Sequence, residues 1–63
     1  MFDELDEVII KASGKIGTIV DKHYVNGYVE YIVEEHEWQN GEYPLRHCTD
    51  ADLAAMLSTD KAA

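Results

Sequence analysis

The chain has 63 residues, and thirteen Asp and Glu against five Lys and Arg give it a formal charge of −8. A chain of this length makes one domain near the lower limit of independent folding, burying only about 60% of the surface it exposes when unfolded. Its charge repels phosphate backbones and anionic membrane surfaces, which argues against nucleic-acid and membrane partners. The longest apolar run, residues 53–57, falls far short of the roughly 20 residues a transmembrane helix needs.

Cys48 is the sole cysteine and cannot form an internal disulfide. With no paired cysteines and no basic-then-apolar leader, the expected location is cytoplasmic. The whole of 1–63 is read as a single domain, structured from about residue 5 to 57, with residues 58–63 frayed because nothing apolar anchors them.

Residues 1–7 are acidic, with Phe2 and Leu5 three apart, a spacing that suits either one helical turn or an extended lead-in. Val8-Ile9-Ile10 is a short apolar strand, and Ser13 and Gly14 turn the chain after it. Two β-rich runs, 16–25 and 28–33, then flank Asn26-Gly27. Asn and Gly accept the positive φ of a type I′ turn, so this stretch reads as a long hairpin.

With Asn26 and Gly27 as the loop, Val20 faces Val33, Lys22 faces Tyr31 and Tyr24 faces Val29. These side chains share one face with Ile16 and Thr18, the expected core face. The other face pairs Ile19 with Glu34, Asp21 with Ile32, His23 with Glu30 and Val25 with Tyr28. A solvated face has no need of Ile19, Ile32 and Tyr28, so the sheet is expected to bend strongly and bury different faces at its two ends.

Asn40-Gly41 signals a second hairpin, with residues 42–47 as its return strand and Pro44 placed at an edge or bulge because it lacks an amide hydrogen. Thr49 followed by Asp52 looks like a capping pair. Leu53, Met56 and Leu57 at i, i+3 and i+4 predict a short C-terminal helix lying over one end of the sheet.

The segment 8–20 carries Gly14-Lys15-Ile16-Gly17-Thr18-Ile19-Val20 after an apolar strand. It resembles the opening of small SH3-like barrels of the KOW-type and related groups, where an apolar strand leads into a Gly-Lys-x-Gly turn and a Gly-x-(Ile/Val)-Val strand. The resemblance covers 13 of 63 residues and agrees with the order of the elements, strand, turn, long hairpin, second hairpin and short helix, which suits a mainly β fold, either a small bent antiparallel sheet or an SH3-like, partly open barrel of four to five strands. KOW-type domains typically contact RNA or protein through basic loops. Here only Lys11, Lys15 and Lys22 cluster near the turn, so protein contact is the part of that resemblance this acidic chain retains.

No residue set has the spacing of a catalytic or metal site. His47 and Cys48 are adjacent, so on a strand they point to opposite faces, and a structural zinc site wants four ligands in spaced pairs. A Cys48 nucleophile would need an imidazole from His23 or His36 and an oxyanion pocket, for which so small a domain has little room. Glu34, Glu35 and Glu37 beside His36 lack the spaced oxygen ligands of a calcium loop and read as a solvated acidic face. Most tyrosines are expected in the core. Tyr28 and Trp38 are expected to be partly exposed.

These residues point to a non-enzymatic protein-interaction domain without cofactor or metal. Its expected partner-binding residues are Tyr28, Glu30, Ile32, Glu34 and Trp38, aromatic and apolar groups ringed by acids. Docking through an edge strand is the other expected mode. Two rival readings are an acidic inhibitor of phage or mobile-element type, with carboxylates imitating DNA phosphates, and a homodimer formed through an unpaired sheet edge.

Overall fold

The structure of the chain, a computed structural model, describes residues 1–56. Strands β1 (Glu7–Ile10), β2 (Lys15–Val25), β3 (Tyr28–Glu35), β4 (Leu45–Thr49) and β5 (Leu53–Ala55) form one open antiparallel sheet in the order β4-β3-β2-β1-β5. The chain is therefore mainly β. β1 to β4 run as a meander, and β5 returns to pair with β1.

β4 and β5 lie at opposite edges of this sheet, yet only Asp50–Asp52 separates them. Four Cα steps of 3.8 Å reach at most about 15 Å, whereas the edges of a flat five-stranded sheet lie about 19 Å apart. The sheet must curl, and its concave side holds the core: Val8, Ile10, Ile19, Val29, Tyr31, Val33, Cys48 and Leu53. Phe2 closes one end with its ring edge-on to Tyr31, centroids 5.8 Å apart. The Tyr31 hydroxyl accepts from the Phe2 N–H at 2.9 Å and donates to Asp50 Oδ1 at 2.8 Å.

The expected turn chemistry is present. Asn26 and Gly27 have φ of 48° and 85°, and Asn40 and Gly41 have 49° and 84°, the paired positive values of a type I′ turn. The hairpin register agrees with expectation from Val25↔Tyr28 down to Asp21↔Ile32. It then slips at a bulge, so that Ile19 and not Val20 faces Val33, and Gly17 faces Glu35. The extra residue, Val20, reverses the facing of everything before it on β2. Ile19 is consequently buried, while Ile16 and Val20 are exposed and Thr18 is half-buried, which corrects the expected core face. The expected change of buried face is not seen: β3 buries one face along its whole length, and on β2 the bulge shifts which residues meet that face, with only Gly17 and Ile19 buried there.

The second hairpin also differs from expectation. The turn at Asn40-Gly41 closes only the isolated pair Gln39↔Glu42, and the strand that pairs with β3 is Leu45–Thr49 rather than 42–47. Pro44 ends the ladder. Its carbonyl accepts from the Glu35 N–H at 2.8 Å, but it has no hydrogen to return.

Among the described residues the expected C-terminal helix does not form. Thr49 and Asp52 do make the local contact expected of a cap, since Asp52 Oδ2 accepts from the Thr49 N–H at 2.9 Å and from its hydroxyl at 3.1 Å. The chain then makes one 3-10 turn, Asp50–Asp52, and enters β5. A helix of two turns is marginal by itself. As a strand, the segment satisfies the free edge of β1 and buries Leu53 against Ile10, its ladder partner. Leu57 and residues 58–63 lie outside the described residues. No helix among those described is long and apolar enough to cross a membrane.

Candidate functional site

β3 alternates strictly. Val29, Tyr31, Val33 and Glu35 are buried, so Tyr28, Glu30, Ile32 and Glu34 all stand on the convex face. Four of the five expected partner-binding residues thus line one strand, spanning about 20 Å at 3.3 Å per residue. Tyr28 is half exposed at the tip of the hairpin. Trp38 lies in the β3–β4 connection, 61% exposed and packed edge-on against Tyr43 with centroids 5.0 Å apart. The structure brings Glu30, Ile32 and Glu34 together mid-strand. It sets the two aromatic ends apart.

The cross-strand neighbours complete this face. β2 places Val25 beside Tyr28, His23 beside Glu30, Asp21 beside Ile32 and Thr18 beside Glu34. β4 places Thr49, His47 and Leu45 beside Glu30, Ile32 and Glu34. The expected His23–Glu30 pair forms, with Nε2 2.9 Å from Oε1. His47 adds Nδ1 at 3.8 Å from the same oxygen. Leu45 (57% exposed) and His47 were not among the expected site residues. Their places on the face emerge only once β4 is known to begin at Leu45.

Cations are scarce here. Lys15 is held by Glu37 and Lys22 by Asp3, so these two do not join Lys11 in a basic patch. The bond to Asp3 raises the Lys22 pKa, and Lys15 lowers that of Glu37. Arg46 Nε donates to Glu35 Oε2 at 2.6 Å, and that carboxylate raises the guanidinium pKa. Glu35, expected on a solvated acidic face, is instead buried at the end of the core, and its Oε1 has no hydrogen-bond partner. The i, i+2 series Val29, Tyr31, Val33, Glu35 carried this signal.

Cys48 is buried opposite Tyr31, and burial pushes its thiol pKa up, leaving little thiolate at neutral pH. Among the described residues no group of three or more His, Cys, Asp or Glu could hold a metal ion. Tyr24 and Tyr43 depart from the expected core placement: both are exposed, as Tyr28 is, and only Tyr31 is interior. Two open depressions, of about 300 Å³ beside Gly14, Lys15 and Ile16 and about 230 Å³ beside Glu34, Glu35 and Tyr43, sit at or below the small end of the range for ligand pockets. Comparisons with known protein families, with curated proteins and with solved structures find no match to this chain.

Proposed function

We propose that the chain is a small, non-enzymatic, SH3-like interaction domain that binds a protein partner through the convex face of its sheet. The observation that carries this reading is the run Tyr28, Glu30, Ile32, Glu34 on one face, extended by Leu45, with the exposed Trp38–Tyr43 pair in the connection just ahead of Leu45. Exposed apolar and aromatic groups cost a small domain solubility unless something covers them, and acids around them select the partner's charge. The SH3-like reading is supported by the curled five-stranded sheet; of the Gly-Lys-x-Gly segment only Gly14 lies in the β1–β2 turn, and Lys15, Ile16 and Gly17 already belong to β2.

The charge-mimic reading has less support, since such mimicry needs carboxylates in rows on one face. The acids among the described residues are spread over residues 3–7, Asp21 on β2, β3, the β3–β4 connection and the 3-10 turn. Affinity capture with the tagged chain tests the proposal. The double variant Tyr28→Ala, Ile32→Ala should lose the partner recovered by the parent chain while keeping its thermal transition. An unchanged partner set with the fold intact refutes it.

A further inference from the structure

The hydrogen-bond phase of the β3–β4 ladder identifies which backbone groups of the edge strand are free. The Glu35 N–H donates to the Pro44 carbonyl, and these two residues are direct partners when the β3–β4 register is extended by one residue. In an antiparallel ladder, pairs that exchange hydrogen bonds alternate with pairs that do not. Arg46 and Cys48 therefore turn their N–H and C=O towards β3, and Leu45, His47 and Thr49 turn theirs away. Thr49 fits this phase, because its outward N–H is taken by Asp52 Oδ2 at 2.9 Å. Among the described residues nothing takes those of Leu45 and His47, and both side chains are exposed.

We infer that this free edge of β4 is the docking strand for a basic, extended segment of a partner protein, an inference that rests on the proposed role of the convex face. A strand added here would exchange four backbone hydrogen bonds with Leu45 and His47. Its side chains opposite those two residues would fall on the convex face, on the side of Glu34 and Glu30. The surroundings are acidic, with Glu42 before the strand, Glu30 and Glu34 beside it, and Asp50 and Asp52 after it. The single fixed cation on β4, Arg46, is already bound to Glu35. The Trp38–Tyr43 pair lies just ahead of Leu45 and offers apolar area at one end of the docked segment.

A second copy of the chain is the weaker occupant, since edge-to-edge pairing would bring together two chains of −8, each with Glu30 and Glu34 one strand back from the shared edge. β5 is the weaker edge, at three residues.

The test uses the full chain and three blocked heptapeptides: alternating valine and lysine, the same peptide N-methylated at alternate residues, and alternating valine and threonine. Amide shifts and affinity are read by NMR. The valine–lysine peptide should move the Leu45 and His47 amides. N-methylation and the variant His47→Pro should each weaken binding about tenfold or more. Proline at 47 removes an outward N–H and leaves the β3 ladder intact. The threonine peptide should bind at least severalfold more weakly, and the difference should shrink at high salt.

If His47→Pro and N-methylation leave affinity unchanged while Tyr28 and Ile32 shift, the edge is refuted and the convex face stands. No binding by any peptide at millimolar concentration also refutes the edge, and leaves the face to the capture experiment. A dimer seen by sedimentation without peptide, and abolished by His47→Pro, would show the occupant to be a second copy and overturn the basic partner.

Discussion

Replacing Gly17 with alanine tests whether the curl of the sheet depends on a close approach of β2 and β3. Gly17 faces Glu35, and a Cβ built on it would lie 2.5 Å from Val33 Cγ1 and 2.8 Å from the Glu34 carbonyl oxygen. Carbon atoms pack favourably at about 3.5–4.0 Å, so Val33 would have to move by about 1 Å. Val33 is fully buried and the other obstacle is backbone, so neither yields cheaply.

Overpacking of this kind costs about 1–3 kcal/mol, and the stiffer unfolded chain returns about 0.4–1 kcal/mol. The net expectation is a loss of about 1–2 kcal/mol from a domain of this size class holding roughly 3–5, a fall in Tm of about 5–15 °C. Urea and thermal unfolding followed by circular dichroism measure it. Adding Val33→Ala should cost less on the Gly17→Ala background than on the parent, by at least about 0.5 kcal/mol, because the two changes share one contact. A Gly17→Ala variant as stable as the parent would refute the close approach.

Leu53→Ala should cost about 2–5 kcal/mol by opening a cavity beneath β5. It should leave a largely unfolded chain by circular dichroism, whereas a loosely attached terminus would tolerate the change. The Tyr31 phenol is raised above its ordinary pKa, first by burial and further by its bond to Asp50, so the unfolded state ionises first. Stability should be intact below about pH 10 and fall as pH rises past it, with a flatter profile in Tyr31→Phe, read from urea midpoints between pH 8 and 11. Lys22, raised by Asp3, contributes loss in the same direction. Arg46→Ala strands a buried carboxylate, and adding Glu35→Gln should restore part of the lost thermal stability. Equal melting of the single and double variants would contradict the pairing.

Local chemistry was legible wherever one or two residues decide the outcome. Asn26-Gly27 and Asn40-Gly41 turn as expected because their φ values are open to few other residues, and Thr49–Asp52 caps because both groups lie within one turn. Features that depend on distant partners were not legible. The bulge at Val20 accompanies the curl of the sheet around its core, and no residue near Val20 announces it. Leu53, Met56 and Leu57 have helical spacing, but the unpaired edge of β1, more than forty residues earlier, takes Leu53–Ala55 as a strand. For the site, β3 alternation placed Tyr28, Glu30, Ile32 and Glu34 on one face without help. Leu45 and His47 were missed because Pro44 shifts the start of β4 past the expected turn.

Hydroxyl-radical footprinting of the captured complex tests most directly whether the convex face meets a partner. Tyr24 provides the internal control, being 70% exposed and facing Val29 on the opposite side of the hairpin. Docking on the convex face predicts that Tyr28, Trp38 and Leu45 lose reactivity in the complex while Tyr24 keeps its free rate. Protection of Tyr24 with Tyr28 and Trp38 unchanged would contradict it.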